Sequence, residues 1–231
     1  NCLLKAGGFD QIRLRRTTAR LENKFDRNTG RSIHYYYDPA DPQSLSHNRI
    51  NSIYEDHLGQ LWIGTNDGLN KFDQDAGRFA HYHYDSNDPH SVSSNLIDSI
   101  CEDQSGQLWI STRDQGLNRF DRETERFTRY QYDPADPQGL NDDNIRKMYP
   151  DRTGVLWIGT KIGGLNTYDR KTEQFRHYRK NLNDPESLND NVVYAIYADH
   201  AGGLWIGTQL GGLNKFDQHT GQFGHYSHDP T

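Results

Sequence analysis

The sequence is short of the features that would assign a function quickly. Two cysteines, Cys2 and Cys101, in 231 residues say little about redox compartment. Cys101 stands where other copies of the same segment carry Tyr54, Tyr149 and Tyr197, so it reads as a small buried hydrophobe. No apolar run approaches the ~20 residues that span a bilayer, so no membrane insertion is expected. The longest run, Val192 to Ala198, fits a buried strand. A net positive charge is also lacking. The net charge of −6 argues against a nucleic-acid or anionic-membrane partner, with Arg13, Arg15, Arg16 and Arg20 a local exception. No nucleophile motif, phosphate loop, metal motif or nucleotide fingerprint is present, so neither a cofactor nor a metal is expected. Residue 1 is Asn rather than Met, so the start is read as trimmed or processed, and no signal peptide is visible.

Only 32% of residues are hydrophobic, yet the chain holds 4 Trp, 14 Tyr and 9 Phe. Disordered chains lack that aromatic content. All four Trp sit in one recurring stretch, Gly59 to Asp73, which returns as Gly106 to Asp121, Gly154 to Asp169 and Gly202 to Asp217. A fixed period of this size means a repeat architecture.

One unit parses into four short strands, Ile50–Tyr54, Leu61–Thr65, Leu69–Phe72 and Phe79–Tyr84, separated by Gly- and Asp-bearing turns. In Leu61-Trp62-Ile63, neighbouring side chains point to opposite faces and all are apolar, so both faces of the sheet are covered. Four-stranded sheets buried on both faces at this period describe an all-β fold, a β-propeller of about five blades. The units run 1–47, 48–94, 95–142, 143–190 and 191–231 within one domain. The first is degenerate. Asn23-Lys24-Phe25-Asp26 matches Asn70-Lys71-Phe72-Asp73, but Arg15 and Arg16 replace the Trp and Ile of the second strand. Unpaired buried Arg is costly, which leaves two outcomes: residues 1–22 form a distorted pair of strands with the Arg groups turned to solvent and close a five-bladed ring, or they detach and a homo-oligomer forms through that degenerate blade, the second being the expectation.

The segment from Asn48 to Phe72, with its Asp-x-x-Gly-x-Leu-Trp-Ile-Gly-Thr core, resembles the two-component regulator propeller repeat. The resemblance covers 48–231 well and 23–47 partly, and Ser111 departs from the glycine of the other copies. That repeat occurs in the extracytoplasmic sensor regions of bacterial hybrid histidine kinases. It implies a periplasmic or extracellular propeller that helps sense ligands, often carbohydrates.

Three recurring features read as structural. The Asp-Pro loops (Asp38-Pro39, Asp133-Pro134 and their counterparts) lack calcium-loop spacing and fit Asp turn-capping. His34, His81, His177 and His225 each fall on a different outer strand, too far apart to share a metal. Asp56, Asp103, Asp151 and Asp199 recur identically, which suits a turn staple better than one active site. The turns between second and third strands do vary: Asn66-Asp67, Arg113-Asp114-Gln115, then Lys161 and Gln209. Such loops on a rigid scaffold carry binding groups, here suited to hydroxyl-rich or anionic small molecules. The expected role is a binding or sensory module and not an enzyme. A lyase-like propeller enzyme and a purely structural or assembly fragment are the alternatives, because the fold hosts all three.

Overall fold

The computed structural model describes residues 22–25 and 32–226, and every described element is a β-strand. Strands β1 (Glu22–Phe25) and β2 (Ser32–Tyr35) pair antiparallel as the outer part of blade one. Blade two comprises β3 (Ile50–Glu55), β4 (Leu61–Thr65), β5 (Leu69–Asp73) and β6 (Arg78–Tyr82). Blade three holds β7 (Ile97–Glu102), β8 (Leu108–Thr112), β9 (Leu117–Asp121) and β10 (Arg126–Tyr130). Blade four holds β11 (Ile145–Pro150), β12 (Leu156–Thr160), β13 (Leu165–Asp169) and β14 (Gln174–Tyr178). Blade five holds β15 (Val193–Ala198), β16 (Leu204–Thr208), β17 (Leu213–Phe216) and β18 (Phe223–Tyr226). Each of these four sheets is an antiparallel meander in sequence order. The strands expected within residues 1–22 fall, up to residue 21 and with Arg15 and Arg16, outside the described residues.

The first strands abut in series, β3 on β7, β7 on β11 and β11 on β15, so they line the axis. The core lies between blades. Trp62 packs edge-on against Phe120 of the next blade at 5.1 Å, Trp109 against Tyr168 at 4.9 Å and Trp157 against Phe216 at 5.1 Å. Ile97 and Ile100 close the first of these layers, Ile145 and Met148 the second, Val193 and Ile196 the third. Both faces of β8 are buried along its whole length, as the apolar run in the second strand requires.

The recurring aspartates do more than hold turns. In blade two, Asp56 accepts backbone N–H groups from Leu58 and Gln60 and also the Trp62 indole N–H at 2.8 Å. Asp103, Asp151 and Asp199 grip Trp109, Trp157 and Trp205 in the same way. One side chain therefore ties the turn to the principal core residue of its blade. Asp38 and Asp41 accept N–H groups two residues on, as turn caps. The outer-strand His81, His177 and His225 each meet a carbonyl of the preceding inter-blade loop at 2.7–2.8 Å, and Arg129 does this in blade three. Cys101 packs against the Trp109 cluster, and burial pushes its thiol up to about 12.

One detail differs from the sequence reading. The fourth strand of blade two runs from Arg78 to Tyr82 and stops short of Tyr84, because the Tyr84 N–H donates to Asn95 instead of the ladder.

Candidate functional site

The varied turns between second and third strands all sit at one end of the blade stack. Each begins with an N–H bonded to the loop before its own first strand. Asn66 donates to Arg49, Arg113 to Leu96, Lys161 to Asn144 and Gln209 to Val192. Each of the first three ends in a glycine that donates to the loop of the following blade: Gly68 to Asn95, Gly116 to Asp143 and Gly164 to Asn191. Those glycines have positive φ, which any side chain would strain, so the turns are rigid at their bases.

A second set of residues joins them at this end. Each first strand of blades two to five carries a β-bulge one residue after its start, and the residue left out of the ladder is Asn51, Asp98, Arg146 or Tyr194. Bulges re-aim the side chain they release. This position differs in all four blades, while the residue before it is always β-branched and apolar: Ile50, Ile97, Ile145 or Val193. The sequence reading missed it. The signal was present as the most variable position inside an otherwise regular strand.

The two sets meet, and differently in the two halves of the stack. In blade two, Asn51 donates to Asn66 at 3.0 Å and to the Ile97 carbonyl at 2.8 Å. In blade three, Arg113 pairs with Asp98 at 2.8 Å, and that hydrogen bond holds the guanidinium above its ordinary pKa. Asp67 accepts from Asn95 at 3.0 Å, and Asp114, itself in the left-handed region at φ 58°, accepts from Asn144. Gln115 turns outward to Gln131 at 3.0 Å, beyond the outer strand β10. These five sequence-predicted residues are therefore engaged with the protein.

Blades four and five are different. Lys161 and Gln209 are exposed and, among the described residues, their side chains make no hydrogen bond to the protein. Arg146 lies over the half-exposed Tyr194 ring at 5.6 Å, a cation–π contact between neighbouring first strands. Beside them, Ile162 and Leu210 at the turn tips are 64% and 89% exposed. The result is a surface with one uncommitted cation, a second cation lying over an aromatic ring, one amide and two apolar side chains. It offers donors to hydroxyl or carboxylate oxygens and an aromatic plane for stacking.

A polar cluster at the opposite end competes for attention. Arg122 donates to Asp56 at 2.6 Å and to Glu102 at 2.7 Å, and His57 meets Glu102 at 2.5 Å. Burial alone would raise the Asp56 carboxyl, but the Trp62 indole and Arg122 hold it below the usual carboxylate range. A cleft of about 310 Å³ opens beside it, lined by Gln60, Lys71 and Arg122 with buried Trp62 and Phe120 behind. Here the charges satisfy one another across blades two and three, which is the pattern of a clamp.

The two component regulator propeller family matches the chain at residues 44–67, 91–114, 139–161 and 187–209. Among solved structures, the extracellular domain of a hybrid two component system from B. thetaiotaomicron is 32% identical with a TM-score of 0.70. That match covers 80% of this chain and 25% of the other. The extracellular domain of a second such system from the same organism is 21% identical with a TM-score of 0.63, over 89% of this chain and 34% of that one. Virginiamycin B lyase from Staphylococcus aureus shares the fold at 12% identity and a TM-score of 0.63, over 92% of this chain and 64% of the lyase. The chain thus spans a quarter to a third of the two extracellular domains. None of the curated proteins matches it.

Proposed function

Since the chain belongs to the two component regulator propeller family, we propose that it is part of an extracellular or periplasmic sensor and binds a small ligand at the bulged end of its first strands. The ligand class is a hydroxyl-rich or anionic small molecule, such as a mono- or oligosaccharide bearing a carboxylate. One observation carries this reading. The positions that vary between otherwise repeated blades, 51, 98, 146 and 194 on the strands and 66, 113, 161 and 209 on the turns, gather at one end of a rigid scaffold. A repeat kept for stability alone gives no reason for its variation to converge there.

Arg146 and Lys161 supply the charge, Tyr194 the stacking plane, and Gln209 an amide that can donate and accept. The likeness to extracellular domains of hybrid two component systems supports reading this end as a binding surface. The reading needs a saccharide screen that includes neutral and uronic-acid sugars, by calorimetry on the full chain. A hit should be lost in Arg146→Ala/Lys161→Ala while the melting temperature stays within about 2 °C, because exposed substitutions cost little. A ligand whose binding survives that double substitution, or that maps to the Arg122 cleft, would overturn the assignment.

A further inference from the structure

The bulged end of blade four carries a charge pattern that blades two and three lack. Four positions recur at this end of each blade: the bulged residue of the first strand, the first residue of the turn after the second strand, and the two residues after the fourth strand. Blade two has Asn51, Asn66, His83 and Tyr84 there, and blade three has Asp98, Arg113, Gln131 and Tyr132. Blade four has Arg146, Lys161, Arg179 and Lys180, all exposed. The cation of blade three is paired with Asp98, whereas none of the four in blade four meets a carboxylate among the described residues.

The turn explains why Arg179 has no partner there. The residue at its position lies on the glycine that closes each turn. A Cβ built on Gly68 would come within 3.1 Å of the His83 ring, one on Gly116 within 3.3 Å of Gln131, and one on Gly164 within 3.4 Å of Arg179. In blades two and three this residue meets the side chain just before that glycine, His83 facing Asp67 at 3.6 Å and Gln131 donating to Gln115 at 3.0 Å. In blade four the residue before the glycine is Gly163, which has no side chain to offer. The carboxylates nearby are turned to the backbone. Asp142 accepts the N–H groups of Ile162 and Gly163, Asp143 that of Tyr132 and Asp190 that of Leu210. Asp142 thereby also fixes the turn that carries Lys161. The cations flank this one turn, because the Lys161 N–H donates to the Asn144 carbonyl, two residues before Arg146, and Arg179 lies on Gly164.

We infer that this end of blade four binds an oligosaccharide with two or more anionic groups, uronate carboxylates or sulfates. Arg146 and Lys161 hold one anion, and Arg179 and Lys180 hold the next one outward. The inference rests on the reading of this end as the binding surface, and it adds two residues and a multiply charged ligand. A single ion pair at an exposed surface is weak, so a row of cations is matched by a ligand that repeats its charge. Two of the four are guanidinium groups, whose fork suits the paired oxygens of such anions. The net charge of −6 disfavours a nucleic acid as the polyanion.

The test is calorimetry on the full 231-residue chain with galacturonate, trigalacturonate, sulfated maltotriose and neutral maltotriose. At least one anionic trimer is expected to bind about tenfold tighter than galacturonate, and to lose that advantage in Arg179→Gln/Lys180→Gln. The tighter of the two trimers names the anion. The glutamines keep most of each stem and remove the charge, so the fold is left intact. An advantage that survives this double substitution overturns the inference and leaves the proposed binding end standing. Equal binding of neutral maltotriose does the same, as does failure of both anionic trimers to bind. Trimer binding that Arg146→Ala/Lys161→Ala leaves unchanged overturns both readings. A single-stranded oligonucleotide bound as tightly as either anionic trimer marks a general anion patch and overturns the saccharide assignment.

Discussion

Trp109 and Trp205 occupy the same place in the same motif and have different fates. Both donate to the Asp six residues earlier, at 2.9 and 2.8 Å, and both stack near the Tyr of their own outer strand. Trp109 also meets Tyr168 of the next blade and is fully buried, while the described residues around the Trp205 ring, Tyr226 and Lys215, belong to its own blade and leave it only partly buried. The comparison teaches that a blade supplies half of its core and its neighbour supplies the rest. Local hydrogen bonding fixes the Trp rotamer, but burial, and with it most of the stabilisation, is a property of the pair.

The sharpest way to break the comparison is to delete both indoles. Trp109→Ala should cost about 3–5 kcal/mol in denaturant unfolding and Trp205→Ala about 1–2 kcal/mol. Equal costs would mean that Trp205 is as well covered in solution as Trp109. Next in size is the clamp that, among the described residues, joins blades two and three. Arg122→Ala strips the buried Asp56 and Glu102 carboxylates of their cation and should cost about 2–3 kcal/mol, whereas the exposed Arg170→Ala should stay within about 0.5 kcal/mol.

A methyl group probes the same contrast more gently. Gly64→Ala pushes against Ile97 and should destabilise by about 1–3 kcal/mol, while Gly207→Ala, whose nearest neighbour is the Ala195 Cβ at 3.3 Å, should be close to neutral. A tolerated Gly64→Ala would show that the blades slide apart readily.

Acid supplies a fourth test. Burial alone would raise the Asp103 carboxyl, but the Ser105 hydroxyl, the Trp109 indole and two backbone N–H groups hold it below the ordinary value. A depressed folded pKa means that the contribution is complete above the unfolded value near 4 and is lost as pH falls through the folded pKa. Stability should therefore drop below about pH 4, and Asp103→Asn should flatten that drop. A profile that Asp103→Asn leaves unchanged would remove Asp103 from the acid response. The smallest expected change belongs to Arg146→Ala and Lys161→Ala, each within about 0.5 kcal/mol in stability, since both side chains are exposed.

Much of the fold was legible in the sequence because the fold repeats. The Trp period, the apolar second strand and the Asp-x-x-Gly turn gave the four-stranded sheets and their boundaries to within two residues at Tyr84. The varied turns were legible too, as departures from the period. Their inequality was not. Asn66, Asp67, Arg113, Asp114 and Gln115 are spoken for by Asn51, Asn95, Asp98, Asn144 and Gln131, and Lys161 and Gln209 are not. Those partners lie 15 to 30 residues away, on strands or loops whose side-chain directions depend on a bulge. Arg122 was invisible for the same reason, since its two carboxylates come from two different blades.

By itself, then, the sequence determined what each unit is. Side-chain alternation and turn chemistry act within a few residues, so a 47- or 48-residue period suffices to specify one blade, its Trp and its Asp staple. Only the tertiary structure decided which copies of an identical motif are fully buried and which charges remain uncommitted. Burial and pairing depend on what the next blade brings within contact distance, and the motif carries no information about its neighbour.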